Sequence, residues 1–177
     1  MNAAQRRQAI MRCLNREPDA ITASALAAMF SVSRQVIVQD IAILRAGGAD
    51  ILATPAGYIV PRASFLKRPR RVICCKHERE EQMVEELMTI VRLGGCAVDV
   101  TVEHPVYGEF KAMLMVGTER DVRRFIARLR ENGAGPLSAI TGGLHLHMIE
   151  ADSEEALDKI VAALTKAGIL QMQGEEQ

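Results

Sequence analysis

The chain has no tryptophan, and two tyrosines and four phenylalanines are its only aromatics among 177 residues. Its core must therefore rest on Leu, Ile, Val, Ala and Met. No apolar run approaches the ~20 residues that a membrane helix needs, which leaves no membrane role. The opening MNAAQRRQAIMRCL lacks a signal-peptide core followed by a small-residue cleavage site, so a cytoplasmic protein is expected. Cysteine is scarce. Cys13, Cys74, Cys75 and Cys96 stand at irregular spacing without a C-x-x-C pair, which suits reduced thiols better than a disulfide framework. Also missing are H-E-x-x-H, G-x-S-x-G and any phosphate-cradling glycine loop, which argues against an enzyme. What remains, 49% hydrophobic and 25% charged residues, is a globular composition with ample core material.

Net charge is zero, but it is segregated. Residues 1–70 carry ten Lys and Arg against four Asp and Glu, a balance of +6, and residues 71–177 carry the opposite balance of −6. Two modules are expected, the first facing a polyanion. Within it, residues 4–15 read as a helix with Ile10, Cys13 and Leu14 on one side. ITASALAAMF reads as a second helix, capped by Thr22, and RQVIVQDIAILRA as a third, capped by Ser33 and stopped at Gly47-Gly48. ILATPAGYIV then suggests two short strands around Pro55-Ala56-Gly57. This order predicts a winged helix-turn-helix over residues 1–62, whose third helix enters the major groove of a double-stranded DNA operator. Arg34, Gln35 and Gln39 suit base edges, and Ser31 and Ser33 suit phosphates. Arg45 shares the face opposite the core stripe of Ile37, Ile41 and Leu44. A helical hairpin used only for dimerisation is the plainer alternative, and the basic balance of this segment argues against it.

PRASFLKRPRRV holds two prolines and five basic residues, and predicts a linker over 63–70 that extends the phosphate contacts. From residue 71 to 172 the pattern predicts strand, helix, strand, strand, helix, strand, helix. This is a split βαβ-type sheet domain with helices on one face, so the whole chain is α+β. The first helix of this module is expected to turn Val84, Leu87, Met88 and Val91 inward.

That architecture leaves one sheet face free for a site or a partner, and the segment TGGLHLHMIE supplies candidates. On a strand, His145 and His147 share one face and Leu144, Leu146 and Met148 the other. Two such imidazoles are either a solvent-facing polar pair or half of a metal site, with zinc or nickel the natural ions. His77 is a candidate third ligand, and Glu81 or Glu85 could add a carboxylate. Cys75, on the same strand face as His77, would make a softer site, or it is simply a small buried hydrophobe. His104 orients a ligand or serves as a structural histidine.

At this point the residues suggest a family. SVSRQVIVQDIAILRAGG looks like the helix-turn-helix core of a common bacterial winged-helix group, while KHEREEQMVEEL, DVTVEHPVYGE and GGLHLHMIEA resemble a three-histidine domain. Together, over nearly the whole chain, they are similar to the niacin-responsive transcriptional repressors that control NAD biosynthesis and niacin uptake genes. The resemblance implies a homodimeric repressor with nicotinic acid as co-repressor and a divalent transition metal, nickel or zinc, in the second domain. It places the metal ligands at His77, Glu85, His145 and His147, selecting Glu85 over Glu81. His104 matches the remaining family histidine, near the effector. Lys111 and the N–H groups at Gly142 and Gly143 are expected to complete recognition of that effector. A regulator whose signal is the metal ion itself is the alternative.

Overall fold

In the computed structural model, which describes residues 1–61 and 68–171, a capping box opens the first helix, α1 (Ala3–Arg16). The Asn2 side chain accepts from the Gln5 N–H at 2.9 Å, and the Gln5 side chain accepts from the Asn2 N–H at 3.0 Å. Thr22 and Ser33 cap α2 (Ala23–Phe30) and α3 (Arg34–Ala46), each through its hydroxyl to a backbone N–H three residues on. The axes of α2 and α3 cross at 105°, within the range of a helix-turn-helix pair. Ile10, Leu14, Leu26, Ala27, Ile37, Ile41 and Ile51 form the buried core of this unit. The wing is the antiparallel pair β1 (Leu52–Thr54) and β2 (Gly57–Ile59). It is tied down by reciprocal backbone bonds between Tyr58 and Ile21 at 2.8 and 2.9 Å. That approach is so close that a Cβ on Gly57 would sit 2.5 Å from the Ile21 carbonyl. Asp40 is the one acidic residue of α3, and it turns inward, where Arg6 Nε at 2.6 Å and Arg7 at 3.3 Å hold it. Two of the basic residues counted toward DNA are therefore spent inside the fold.

The chain divides into two compact units near residue 66. Residues 63–67 of the expected linker lie outside the described residues, and its end is corrected by the structure. Arg70 already belongs to β3 (Arg70–Lys76). The basic residues at this end face carboxylates rather than phosphates. Arg68 pairs with Asp152 and Glu150, Arg70 with Glu150, and Arg71 with Glu154 and Asp158.

The second unit continues with α4 (Glu80–Arg92), β4 (Gly95–His104), β5 (Gly108–Val116), α5 (Glu119–Glu131), a 3₁₀ turn (Leu137–Thr141), β6 (Leu144–Ala151) and α6 (Glu154–Lys166). The strand order is β3-β6-β4-β5, and every neighbouring pair is antiparallel. β3 and β4 therefore run parallel with β6 between them, the expected split βαβ arrangement. Ile73, Ala97, Val100, Leu114 and Ile149 of the sheet pack against Leu87, Ile90, Val122, Ile126, Leu157, Ile160 and Leu164 of the helices. The opposite face is open, with Val72, Leu144 and Leu146 exposed. Among the described residues no single helix is long and apolar enough to cross a membrane.

α4 does not present the expected stripe. Met83, Glu86, Leu87 and Ile90 are its buried residues, with Val84, Met88 and Val91 only partly covered. The helix is rotated so that a carboxylate, rather than a fourth hydrophobe, lies over the sheet.

Candidate metal centre and nucleic-acid interface

Burial alternates along β6 in the sense opposite to a polar outer face. His145, His147 and Ile149 are buried, while Leu144 is 43% and Leu146 37% exposed. The histidines thus occupy the covered face, not the free one. Register does the rest: β3 pairs with β6 so that Cys75 lies opposite His145 and Ile73 opposite His147. With a period of two, Cys75 shares that covered face, and buried His77 follows just past the end of the strand.

Glu86 descends from α4 onto this patch and is 0% exposed. Its Oε2 lies 2.5 Å from His77 Nε2 and 3.3 Å from His145 Nε2. Its Oε1 is 3.5 Å from His147 Nε2 and makes no hydrogen bond. The three rings are locked together, with His145 edge-on to both His77 and His147 at centroid distances of 4.9 Å. Here the structure corrects the expected ligand set. Glu85 is exposed, as is Glu81, and Glu86 is the acid that meets the histidines. The apolar periodicity conceals it, because a charged residue does not read as part of a buried stripe. Met83, Leu87 and Ile90 at i, i+4 and i+7, with Glu86 among them, is the pattern that would have revealed it.

Backbone carbonyls set the direction of two rings. His145 Nδ1 donates to the Gly143 carbonyl at 2.8 Å, and His147 Nδ1 donates to the Asp99 carbonyl at 2.5 Å. A carbonyl can only accept, so the proton is on Nδ1 and each Nε2 is left facing inward, as in histidines whose outer nitrogen is held for metal ligation. The Asp99 carbonyl is free for this because β4 shifts register between Ala97 and Thr101, and the Asp99 side chain takes the Met148 N–H at 3.1 Å in place of a ladder bond.

The result is an electrostatic mismatch. The Nε2 atoms of the three rings and the Glu86 oxygens face one another in a buried space, and each contact is favourable only with a proton on the ring nitrogen or a shared cation between them. Burial opposes ionisation of Glu86, yet His147, together with hydrogen bonds from His145 and His77, holds its carboxyl well below the usual range. Burial pulls His145 down, but Glu86 and the Gly143 carbonyl outweigh it and leave this imidazole above its ordinary value. For fully enclosed His147 burial prevails and its pKa is lowered. A set of three imidazoles and one carboxylate, with an unpartnered oxygen, fits a divalent ion such as zinc or nickel. A cavity of about 30 Å³ touches all four side chains.

A larger cavity of about 370 Å³ adjoins the cluster, lined among others by His77, Arg79, Met83, Arg130, Ser138 and Gly143. Of the residues expected around an effector, Gly142 and Gly143 border it, but both N–H groups turn back onto the Ser138 carbonyl and cannot serve a ligand. His104 and Lys111 are not brought here. His104 Nδ1 accepts from the N–H groups of Val106 and Tyr107, closing its own hairpin turn against Tyr107 and Phe110. Lys111 lies 3.6 Å from the Asp99 carboxylate. Arg79, Arg130 and Ser138 border the cavity without a motif in the sequence that marks them. The 3₁₀ turn that carries Ser138 has no apolar period to announce it.

In the first unit Ser31, Ser33, Arg34, Gln35, Gln39 and Arg45 are all exposed, and the Ser33 hydroxyl also caps α3. They form the solvent face of the helix-turn-helix, as groove-facing residues must.

Comparison with known proteins accounts for both units. Residues 6–59 match an HTH domain and residues 70–173 match the 3H domain. A relative named probable transcription repressor NiaR, from Thermotoga maritima, is 44% identical over 170 residues, covering 96% of this chain and 95% of that protein. The transcription repressor NadR of Bacillus subtilis is 40% identical over 169 residues, covering 94% and 93%. The chain therefore belongs to the family of transcription repressors, not enzymes, that the sequence motifs resembled, with an HTH domain followed by a 3H domain.

Proposed function

We propose that this protein represses genes of NAD biosynthesis and niacin uptake as a homodimer on double-stranded DNA, with nicotinic acid as co-repressor beside a divalent metal, nickel or zinc. The observation that carries the metal is the convergence of His77, His145 and His147 on buried Glu86 with one oxygen left unpartnered. A bound divalent ion would supply the positive charge that this set of acceptors lacks. His77, Glu86, His145 and His147 hold it, and the Gly143 and Asp99 carbonyls keep two of the rings aimed. The adjoining cavity of about 370 Å³ is within the size range of small-molecule sites. Arg79 and Arg130 at its edge suit a carboxylate such as that of nicotinate. His104 and Lys111 have no part in this site. For the effector to tighten DNA binding it must favour the dimer geometry whose recognition helices match the operator, a linkage typically worth ~1–3 kcal/mol.

A thermal-shift titration with nicotinic acid and nicotinamide, on metal-loaded and chelator-stripped protein, tests the reading. Nicotinic acid at about 100 times its dissociation constant should stabilise the loaded protein by about 2.7 kcal/mol. Nicotinamide and stripped protein should show no such shift. One observation favours the second reading, a regulator that senses the metal alone: the cavity touching all four side chains, about 30 Å³, has room for an ion but not for a pyridine ring. Stabilisation by metal with no response to either pyridine would select it.

On the DNA side, Arg34→Ala is expected to weaken binding to an operator selected from random duplexes by roughly 1–3 kcal/mol. Metal content should stay constant. Unchanged anisotropy titrations would remove Arg34 from the interface.

A further inference from the structure

The buried patch around Glu86 contains a group that the proposed ligand set leaves idle. Cys75 is 0% exposed and lies directly opposite His145 across the β3–β6 ladder. Its Sγ, an oxygen of Glu86 and a ring nitrogen of His145 all lie within 4.8 Å of one another. Its neighbour Cys74 points to the opposite, open side of the sheet and is only half-buried. The Glu86 carboxylate supplies the independent sign of a missing ligand, because its Oε1 is fully buried and has no hydrogen bond, and Glu86 lines the small cavity together with the histidines.

We propose that Cys75 is a further ligand of the metal centre, bound as thiolate beside Glu86 and His145. The inference rests on the metal reading above. Charge is the argument for it. Three neutral imidazoles and one carboxylate leave a divalent ion with a net charge of +1 in a buried site, and an uncompensated buried charge is strongly disfavoured. A thiolate brings the site to neutrality. On binding, the S–H bond is replaced by a sulfur–metal bond and the proton leaves to water, with no change of oxidation state. The softer donor also turns the preference of the site toward zinc and cobalt and away from hard ions such as magnesium and manganese.

Cobalt(II) titration of the full-length protein tests this. The wild-type protein is expected to develop visible d–d bands together with a near-ultraviolet thiolate-to-cobalt charge-transfer band. C75S should keep the d–d bands and lose the charge-transfer band, whereas C74S should keep both. Competition against a chelating dye should show zinc bound more weakly by C75S by at least the ~10- to 100-fold that loss of an outer-sphere partner brings. Visible bands without charge transfer in the wild-type protein overturn the role of Cys75 and leave the histidine–Glu86 site standing. A charge-transfer band that survives C75S also overturns it. No cobalt spectrum at all overturns the metal reading, and this inference with it.

Discussion

Glu86→Ala should abolish tight binding of divalent metal, with a loss of at least ~100-fold, while Glu85→Ala, one residue away, should leave binding unchanged. The contrast follows from the rotation of α4, which buries Glu86 against three imidazoles and leaves Glu85 in solvent. Glu86 is the one carboxylate among the proposed ligands, so its removal takes away charge as well as a coordination position. The lower bound is set by the ~10- to 100-fold that losing a mere outer-sphere partner costs. Isothermal titration with zinc and nickel on both variants measures it, and circular dichroism confirms that each has folded. The stabilisation by nicotinic acid should vanish with the metal in the Glu86 variant and persist in the Glu85 variant. The reverse pattern would falsify the assignment of Glu86.

Gly143→Ala should be the most damaging single-methyl change in the second unit. Gly143 has φ +88°, and a Cβ there would lie 2.3 Å from the His77 carbonyl oxygen and 2.7 Å from its carbon. Neither atom is the end of a flexible side chain; both belong to the backbone just past β3. Backbone strain alone is worth roughly 1–3 kcal/mol, and relief of the clash must push His77 away from Glu86. The same residue supplies the carbonyl that orients His145, so one methyl group disturbs two of the three imidazoles. With about 4–8 °C lost per kcal/mol in a domain of this order of size, a fall of roughly 10 °C or more in melting temperature is expected, together with weakened metal affinity. Gly142→Ala is the control. Its φ of +60° is also left-handed, but nothing lies within 4 Å of the added methyl. That variant should lose only the roughly 1–2 kcal/mol of an ordinary side chain in that conformation and keep its metal. Equal metal loss in both variants would sink the steric argument.

Much of the scaffold is legible without coordinates because its signals are local. Thr22, Ser33, Thr118 and Ser153 mark the starts of four helices by their side-chain chemistry, and all four accept a backbone N–H from three residues on. The alternation of LHLH announces a strand with two histidines on one face. What the pattern does not carry is which face is covered, since the answer depends on α4, dozens of residues earlier in the chain. There the apolar period misleads by its own logic. Glu86 looks like a solvated residue until three histidines are brought to it, and only the tertiary fold does that. The register shift of β4 at Asp99, which aims His147, leaves no mark on composition either. His104 shows the converse: its motif VEHPVYG is conspicuous, yet the ring is satisfied locally by the N–H groups of the turn it closes.

The strand order has a consequence for how the protein is made. β6 lies between β3 and β4, yet of the four strands it is the last in sequence. At roughly 5–20 residues per second, the 59 residues that separate Glu86 from His145 take about 3–12 s to synthesise. Through that interval β3 and β4 have no partner between them, and His77 and Glu86 have no second imidazole to meet. The helix-turn-helix and its wing are finished by Ile59, well before. On the ribosome, the HTH domain of this repressor is complete before the 3H domain that follows it has its central strand.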